Sequence, residues 1–418
     1  MTNAKEDNPM KQRGGWNREF DRSGPEYDYA RQGPIELSRY ELNTSAAAGI
    51  GTFMNLPICL TPEALKNGAV DVAILGAPLD MSFGQRGTAW GPRTLRTAER
   101  YFPGGPAIRQ AANNPFVMVE PFKELNCVDY GDANIDPLDV ELSHAEVQKR
   151  VCEISRAGAI PIILGGDHSL MRPDVKGMME GIYLHDQPGD CDYEVDNIGN
   201  EECGPPDYEN CPDHPLKDKV GVIHLDAHYD AGTAKFGHHI THGTPIRNLI
   251  NEGYVKGSDI VQVGLRGYAM SIDDVNMLRD DDQIQSHYMA EIERYGFDKV
   301  MHRAVNNVAA DKEYLFLSID IDVLDPAFAP GTGTPEPGGL TTREILPLVR
   351  RLCAERNIMG IELVEVAPGW DPGYTTALNG FRIILEAITG IAMRKLGLTD
   401  PHYLDPWAAK IGEYAPKI

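Results

Sequence analysis

The stretch Val220–Gly232, VGVIHLDAHYDAG, decides the fold. Its first half, VGVI, is an unbroken apolar run of the kind buried on both faces of a parallel sheet. Its second half places His224, Asp226, His228 and Asp230 at every second position, and period two is strand spacing. Fully extended, Asp226 and Asp230 would lie about 13 Å apart at roughly 3.3 Å per residue. One ion with bonds of about 2 Å cannot be held that way. The chain therefore turns after Asp226, and AHYDAG reads as a loop that returns ionisable groups to the end of a hydrophobic strand.

The same rhythm recurs on both sides. Strand candidates lie at 70–78, 127–132, 159–167, 259–265, 314–322 and 357–366, several of them nearly continuously apolar. Helical patterns lie between them: GPRTLRTAERYF from Gly91, Ser143–Gly158, and a segment from Thr341. Ser143 with Glu146, and Thr341 with Glu344, have the spacing of capping boxes, and Gly158 is a helix stop. Strands alternating with helices predict an α/β fold with a parallel sheet. Residues 1–65 read as an N-terminal extension packing on the domain or on a neighbouring subunit, and 66–418 as the domain. An acidic, Pro- and Gly-rich insertion at about 186–218 breaks the rhythm. It carries Cys191, Cys203, Cys211 and His214, at spacings that fit no standard zinc knuckle.

Composition narrows the function. The 418 residues carry a net charge of −23, which argues against nucleic acid and anionic membrane surfaces as partners. That charge is compatible with a small cationic substrate. No run of about 18 apolar residues predicts a membrane span. The N-terminus lacks the apolar core of a secretory signal, so the expected location is the cytoplasm. Seven scattered cysteines without a CxxC pair argue against a disulfide framework.

Ligands of open parallel α/β sheets bind beyond the carboxyl ends of the strands, so those ends are read together. One strand ends in GGDHS, with Asp167 and His168; another in Asp226, followed by His228 and Asp230. A third ends in Asp320 and Asp322, followed by Asp325, and a fourth in Glu362 and Glu365. A lone strand-end Asp usually caps a helix. A crowd of carboxylates is different, because close carboxylates repel and raise one another's pKa unless a cation sits among them. Histidines and carboxylates without cysteine suit Mn²⁺, Fe²⁺, Ni²⁺ or Zn²⁺. About six ligands exceed one ion's need; two ions about 3.5–4 Å apart use them all.

GGDHS, DAHYD and SIDIDVLDPAFAPGTGTPEPGG resemble the three signatures of the ureohydrolases, the family of arginases, agmatinases and other guanidino-compound hydrolases. The resemblance covers roughly 70–395. It implies a three-layer α/β/α sandwich with a mostly parallel sheet, assembly as a homo-oligomer (a trimer or hexamer), and two divalent ions, Ni²⁺ or Mn²⁺. One ion would be held by His168, Asp226, Asp230 and Asp320; the other by His228, Asp226, Asp320 and Asp322. His224 falls outside this set and reads as a hydrogen-bonded core or supporting histidine. His242 matches the family's proton-shuttling histidine, and Glu365 the glutamate that pairs with the guanidinium. Metal-bound water would attack the guanidinium carbon, Asp230 would carry the proton to the leaving nitrogen, and urea would be a product.

Departures from the family pattern bear on the substrate. Arginases place an Asn where this chain has Gly232, which disfavours arginine. THGTP with its following Arg247 resembles the agmatinase branch. GQRGTAWGP at 84–92 replaces a common Arg-containing run, and Thr88 and Trp90 are candidate pocket residues. That run and the N-terminal extension resemble nickel-dependent hydrolases of free guanidine, so guanidine is the leading expected substrate. Agmatine, guanidinobutyrate or another alkylguanidine comes next. The single-zinc deacetylases of the same fold need fewer aspartates than Asp320 and Asp322 supply. A non-catalytic partner subunit is disfavoured by the complete ligand set.

Overall fold

The computed structural model describes residues 51–98, 113–185, 213–268, 270–400 and 403. Residues 1–50 of the expected 1–65 extension, and most of the acidic insertion with its three cysteines, lie outside these residues. Among the described residues eight strands run β1 Val72–Ala77, β2 Cys127–Asp132, β3 Ile160–Gly165, β4 Val220–Leu225, β5 Ile260–Leu265, β6 Gln285–Tyr288, β7 Tyr314–Asp320 and β8 Ile358–Val364. They form one sheet in the order β2-β1-β3-β8-β7-β4-β5-β6. Every pairing is parallel. The five longest helices are α1 Val140–Arg156, α2 Met171–His185, α3 Phe297–Ala309, α4 Thr342–Glu355 and α5 Thr375–Lys395.

Alternation along the strands builds two cores. Ile162, Leu164, Ile223, Leu225, Leu317 and Ile319 face one core, with α3, α4 and α5. Ile163, Val220, Val222 and Phe316 face the other, with α1 and α2. Successive side chains point to opposite faces, so a strand buried on both sides must be apolar throughout. In α4, Ile345, Leu348, Val349 and Leu352 make the apolar stripe at helical spacing, and each buried side chain contributes about 1.5–3 kcal/mol. A side chain at Gly177 or Gly181 of α2 would come within 2.4 Å of the Gln148 carbonyl or 2.6 Å of the Cys152 carbonyl, so α1 and α2 need both glycines to approach. α5 is long and apolar enough to cross a membrane, and 72% of that window is buried inside the protein.

Two local expectations change. The helix expected from Ser143 starts three residues earlier: Asp139 caps it by accepting from Leu142 N–H at 3.0 Å. Ser143 instead donates its hydroxyl back to the carbonyls of Asp136 and Asp139. β6 went unseen because QSHY is a four-residue polar edge strand with no apolar period. The Thr341 cap stands as expected, with the Glu344 carboxylate accepting from Thr341 N–H at 2.8 Å.

Candidate metal centre

The four central strands, β3, β8, β7 and β4, are neighbours, so their carboxyl ends meet at one rim. After β3 the chain turns through Gly165 and Gly166, where side chains would strike Val364 at 2.6 Å and the Ala77 carbonyl at 2.5 Å. Asp167 caps the short turn that carries His168, accepting from Ser169 N–H at 2.9 Å. After β4, Asp226 is followed by a turn, not an extended run. Asp230 adopts a left-handed backbone with φ 47°, and so does Glu365 after β8, with φ 63°. Such backbone costs about 1–3 kcal/mol per residue and marks positions that the surrounding structure over-determines.

The turn brings the ionisable groups together. His168 Nδ1 lies 3.0 Å from Asp226 Oδ2, 3.0 Å from Asp230 Oδ2 and 3.3 Å from Asp320 Oδ2. His228 Nδ1 lies 3.1 Å from Asp322 Oδ2 and 3.5 Å from Asp226 Oδ1. Asp226 therefore turns one oxygen to each histidine. The Asp320 Oδ1 atom accepts from Asp322 N–H at 2.8 Å, so its second oxygen is engaged by backbone. His168 Nδ1 and Asp226 Oδ2 are buried without a hydrogen-bond partner. Orphaned buried donors and acceptors at this density fit a bound cation, and the histidine–carboxylate set suits divalent ions. The residues thus form two adjoining nests sharing Asp226, each able to hold one divalent ion.

Electrostatics make the same point. Burial raises the Asp320 and Asp322 carboxyls above the ordinary range, and the surrounding aspartates add to it. Burial opposes protonation of His168 and His228, yet the facing carboxylates outweigh it and raise both, His228 to about 12. Burial also works to raise Asp226, but His224, His168 and His228 bring it well below its usual value. Groups raised in the folded state contribute stability at low pH and lose it as pH rises through their folded values. Asp320, Asp322, His168 and His228 share that direction; Asp226 opposes it only below about pH 4. Chelator-treated protein is therefore expected to melt lower at pH 9 than at pH 6. Mn²⁺ should raise the melting temperature more at pH 9. A metal-induced shift that is equal at both pH values would contradict this reading.

Glu365 sits behind the rim. Its Oε1 accepts from His168 N–H at 2.9 Å and lies 3.5 Å from His242 Nδ1. Its Oε2 is buried with no hydrogen-bond partner. Burial raises the Glu365 carboxyl, and His242 partly offsets it. His242 is stacked edge-on against Phe83, with ring centroids 4.1 Å apart. A cavity of about 240 Å³ opens over His242 and the rim, lined by Asp230, His228, His242, Phe83, Lys235 and Met270 among others, and Glu365 lies behind this lining.

Other candidates lie elsewhere. Thr88 is buried and its hydroxyl donates to the Leu79 carbonyl at 3.4 Å. Trp90 is 62% exposed, and neither residue lines the cavity. Arg247 is held by Asp282 through two hydrogen bonds of 2.9 and 2.6 Å. Glu362 is buried against Asp174 and 3.7 Å from His168 Nε2, which meets the Ser318 hydroxyl at 2.8 Å. Sequence reasoning did not single out Lys235, Ser318 or Gln262. The last two carry a legible signal, a lone polar residue inside an apolar strand; Lys235 carries none.

Comparison with known proteins agrees with this geometry. Residues 70–390 match the model of the arginase family. The chain is 33% identical over 347 residues to the guanidinopropionase of Pseudomonas aeruginosa, covering 82% of this chain and 92% of that one. It is 30% identical over 359 residues to the mitochondrial agmatinase of Gallus gallus, covering 84% and 90%. The solved proclavaminate amidino hydrolase from Streptomyces clavuligerus superposes with a TM-score of 0.65 at 28% identity, covering 84% of this chain and 99% of that one. The chain belongs to the arginase family of ureohydrolases, in its agmatinase-like branch.

Proposed function

We propose that this enzyme hydrolyses a guanidinium compound to urea and ammonia or an amine, with two divalent ions held by His168, Asp226, Asp230, Asp320, His228 and Asp322. The observation that carries the reading is Glu365 Oε2, a buried carboxylate oxygen without a hydrogen-bond partner beside two histidine–carboxylate nests. A planar cation that donates N–H bonds satisfies it. Ions bound in the nests supply Lewis acidity and a nucleophilic water near neutral pH. Glu365 fixes the plane of the guanidinium, and Asp230, at the floor of the cavity, takes the remaining proton of the attacking oxygen and hands it to the leaving nitrogen, so that ammonia or an amine departs as urea forms. His242 exchanges with solvent the other proton, the one the water loses on becoming the nucleophile. Burial works against its protonation, yet Glu365 raises its pKa, which keeps it charged to higher pH than a free imidazole.

Free guanidine is the leading substrate, because it is all cation and asks nothing of the cavity wall beyond this floor. Agmatine is disfavoured. The only carboxylates on the described wall, Asp230 and Asp320, belong to the nests, so none remains for a distal ammonium. A second reading has an observation of its own. Lys235 lines the cavity, its stem lies across Gly232 and Gly243, and its ammonium has no ion pair among the described residues. A carboxylate tail, as on an ω-guanidino acid, would meet it. Urea release from guanidine, 3-guanidinopropionate, 4-guanidinobutyrate and agmatine tests both readings. If the second holds, Lys235→Met lowers kcat/KM for the guanidino acids by about 10- to 100-fold more than for guanidine, the worth of a charge-assisted hydrogen bond. Equal losses on both, or preference for agmatine, would remove Lys235 from substrate selection. No urea from any of the four would remove the reading itself.

A further inference from the structure

His224 is fully buried, and its Nε2 lies 3.0 Å from Asp226 Oδ2, close enough to count as a second histidine in the nest of His168, Asp226 and Asp230. Its other nitrogen decides its role. Gln262, on the neighbouring strand β5 and also fully buried, places its side-chain nitrogen 3.2 Å from His224 Nδ1 and donates to the Tyr229 carbonyl at 2.6 Å. The amide cannot be turned over, because its oxygen would then face the Tyr229 carbonyl oxygen at that distance. In the observed orientation the Ser286 hydroxyl donates to Gln262 Oε1 at 3.3 Å. Gln262 therefore donates to His224 Nδ1. That nitrogen carries no proton, and the ring's single proton is on Nε2, facing Asp226.

We propose that His224 is not a metal ligand but a positioning residue: its Nε2, 3.0 Å from Asp226 Oδ2 without forming a hydrogen bond to it, holds that oxygen electrostatically, and Gln262 sets the tautomer that puts the ring proton on this side. The inference rests on the two-ion reading above. It assigns Gln262 two tasks, since the Tyr229 carbonyl it anchors lies between His228 and Asp230. Outer partners that orient a ligand typically change metal affinity by about 10- to 100-fold. Here the effect has a side, because His224 addresses Oδ2, the oxygen turned to His168, and leaves Oδ1 to His228.

The test is calorimetric titration of the metal-free full chain with Mn²⁺, and separately with Ni²⁺. His224→Leu should still bind two ions, one with unchanged affinity and the other about 10- to 100-fold more weakly. His224→Gln, whose amide N–H can replace the imidazole proton, should recover most of the loss. Gln262→Leu, which does not touch Asp226, should weaken the same ion and gives the answer if His224→Leu fails to fold. Two ions of wild-type affinity in His224→Leu would overturn the positioning role. Loss of one ion in both His224 variants would make His224 a ligand. Wild-type protein that binds fewer than two ions would instead strike the underlying reading.

Discussion

Asp226→Asn is expected to abolish urea release, by on the order of a thousand-fold or more, and to empty both nests at once. The reason is geometric. Asp226 is the one residue with an oxygen toward each histidine, Oδ2 to His168 and Oδ1 to His228. Asparagine keeps the size and removes the charge. Losing one partner of a buried ionic group costs about 3–5 kcal/mol, which is two to four decades in affinity. The measurement is metal content after gel filtration in parallel with urea release. A variant that retains both ions, or that keeps more than a tenth of wild-type turnover, would show that Asp226 does not join the nests.

Glu365→Gln should separate binding of metal from binding of substrate. The amide oxygen can still accept from His168 N–H, so the turn carrying His168 keeps its support. The charge that faces a guanidinium is gone. Truncating a buried, hydrogen-bonded charge pair costs about 2–5 kcal/mol, so kcat/KM should fall by roughly thirty- to several-thousand-fold. Both metal affinities should stay near wild type. If metal binding falls with turnover, Glu365 supports the nests and does not grip the substrate. If neither changes, the buried Oε2 atom has another use.

The fold was largely legible because its strands are buried on both faces. Six strands announce themselves as apolar runs, β2 is a mixed edge strand, CVDYGD, and only β6, short and polar at the other sheet edge, is silent. The candidate site was legible because its residues stand at strand ends in dense motifs, DAHYD and SIDID above all. What the sequence could not show is which oxygen faces which histidine. That depends on the left-handed turn at Asp230 and on the pairing of β4 with β7, which bring together residues about ninety positions apart. Thr88 and Trp90 illustrate the opposite limit. They are departures from the family pattern in a loop, and departure alone does not say where a side chain points: one is buried against Leu79, the other exposed. Lys235 was invisible for a related reason. Its place at the cavity follows from the Phe236–Gly237 turn, where both residues have positive φ, and from room left by Gly232 and Gly243. A lysine in a polar loop carries no such information by itself. The helix start at Asp139 shows how local competition misleads. Ser143 has a good cap spacing, but its hydroxyl is better satisfied within the helix that Asp139 has already begun.

The most direct test of the two-ion ureohydrolase reading is a titration of metal-free protein with Mn²⁺, and separately Ni²⁺, in which urea release from guanidine and from 3-guanidinopropionate is followed at each addition. Activity on at least one of them should climb and level off at two equivalents of ion per chain. A plateau at one equivalent, or urea release before any metal is added, would contradict it.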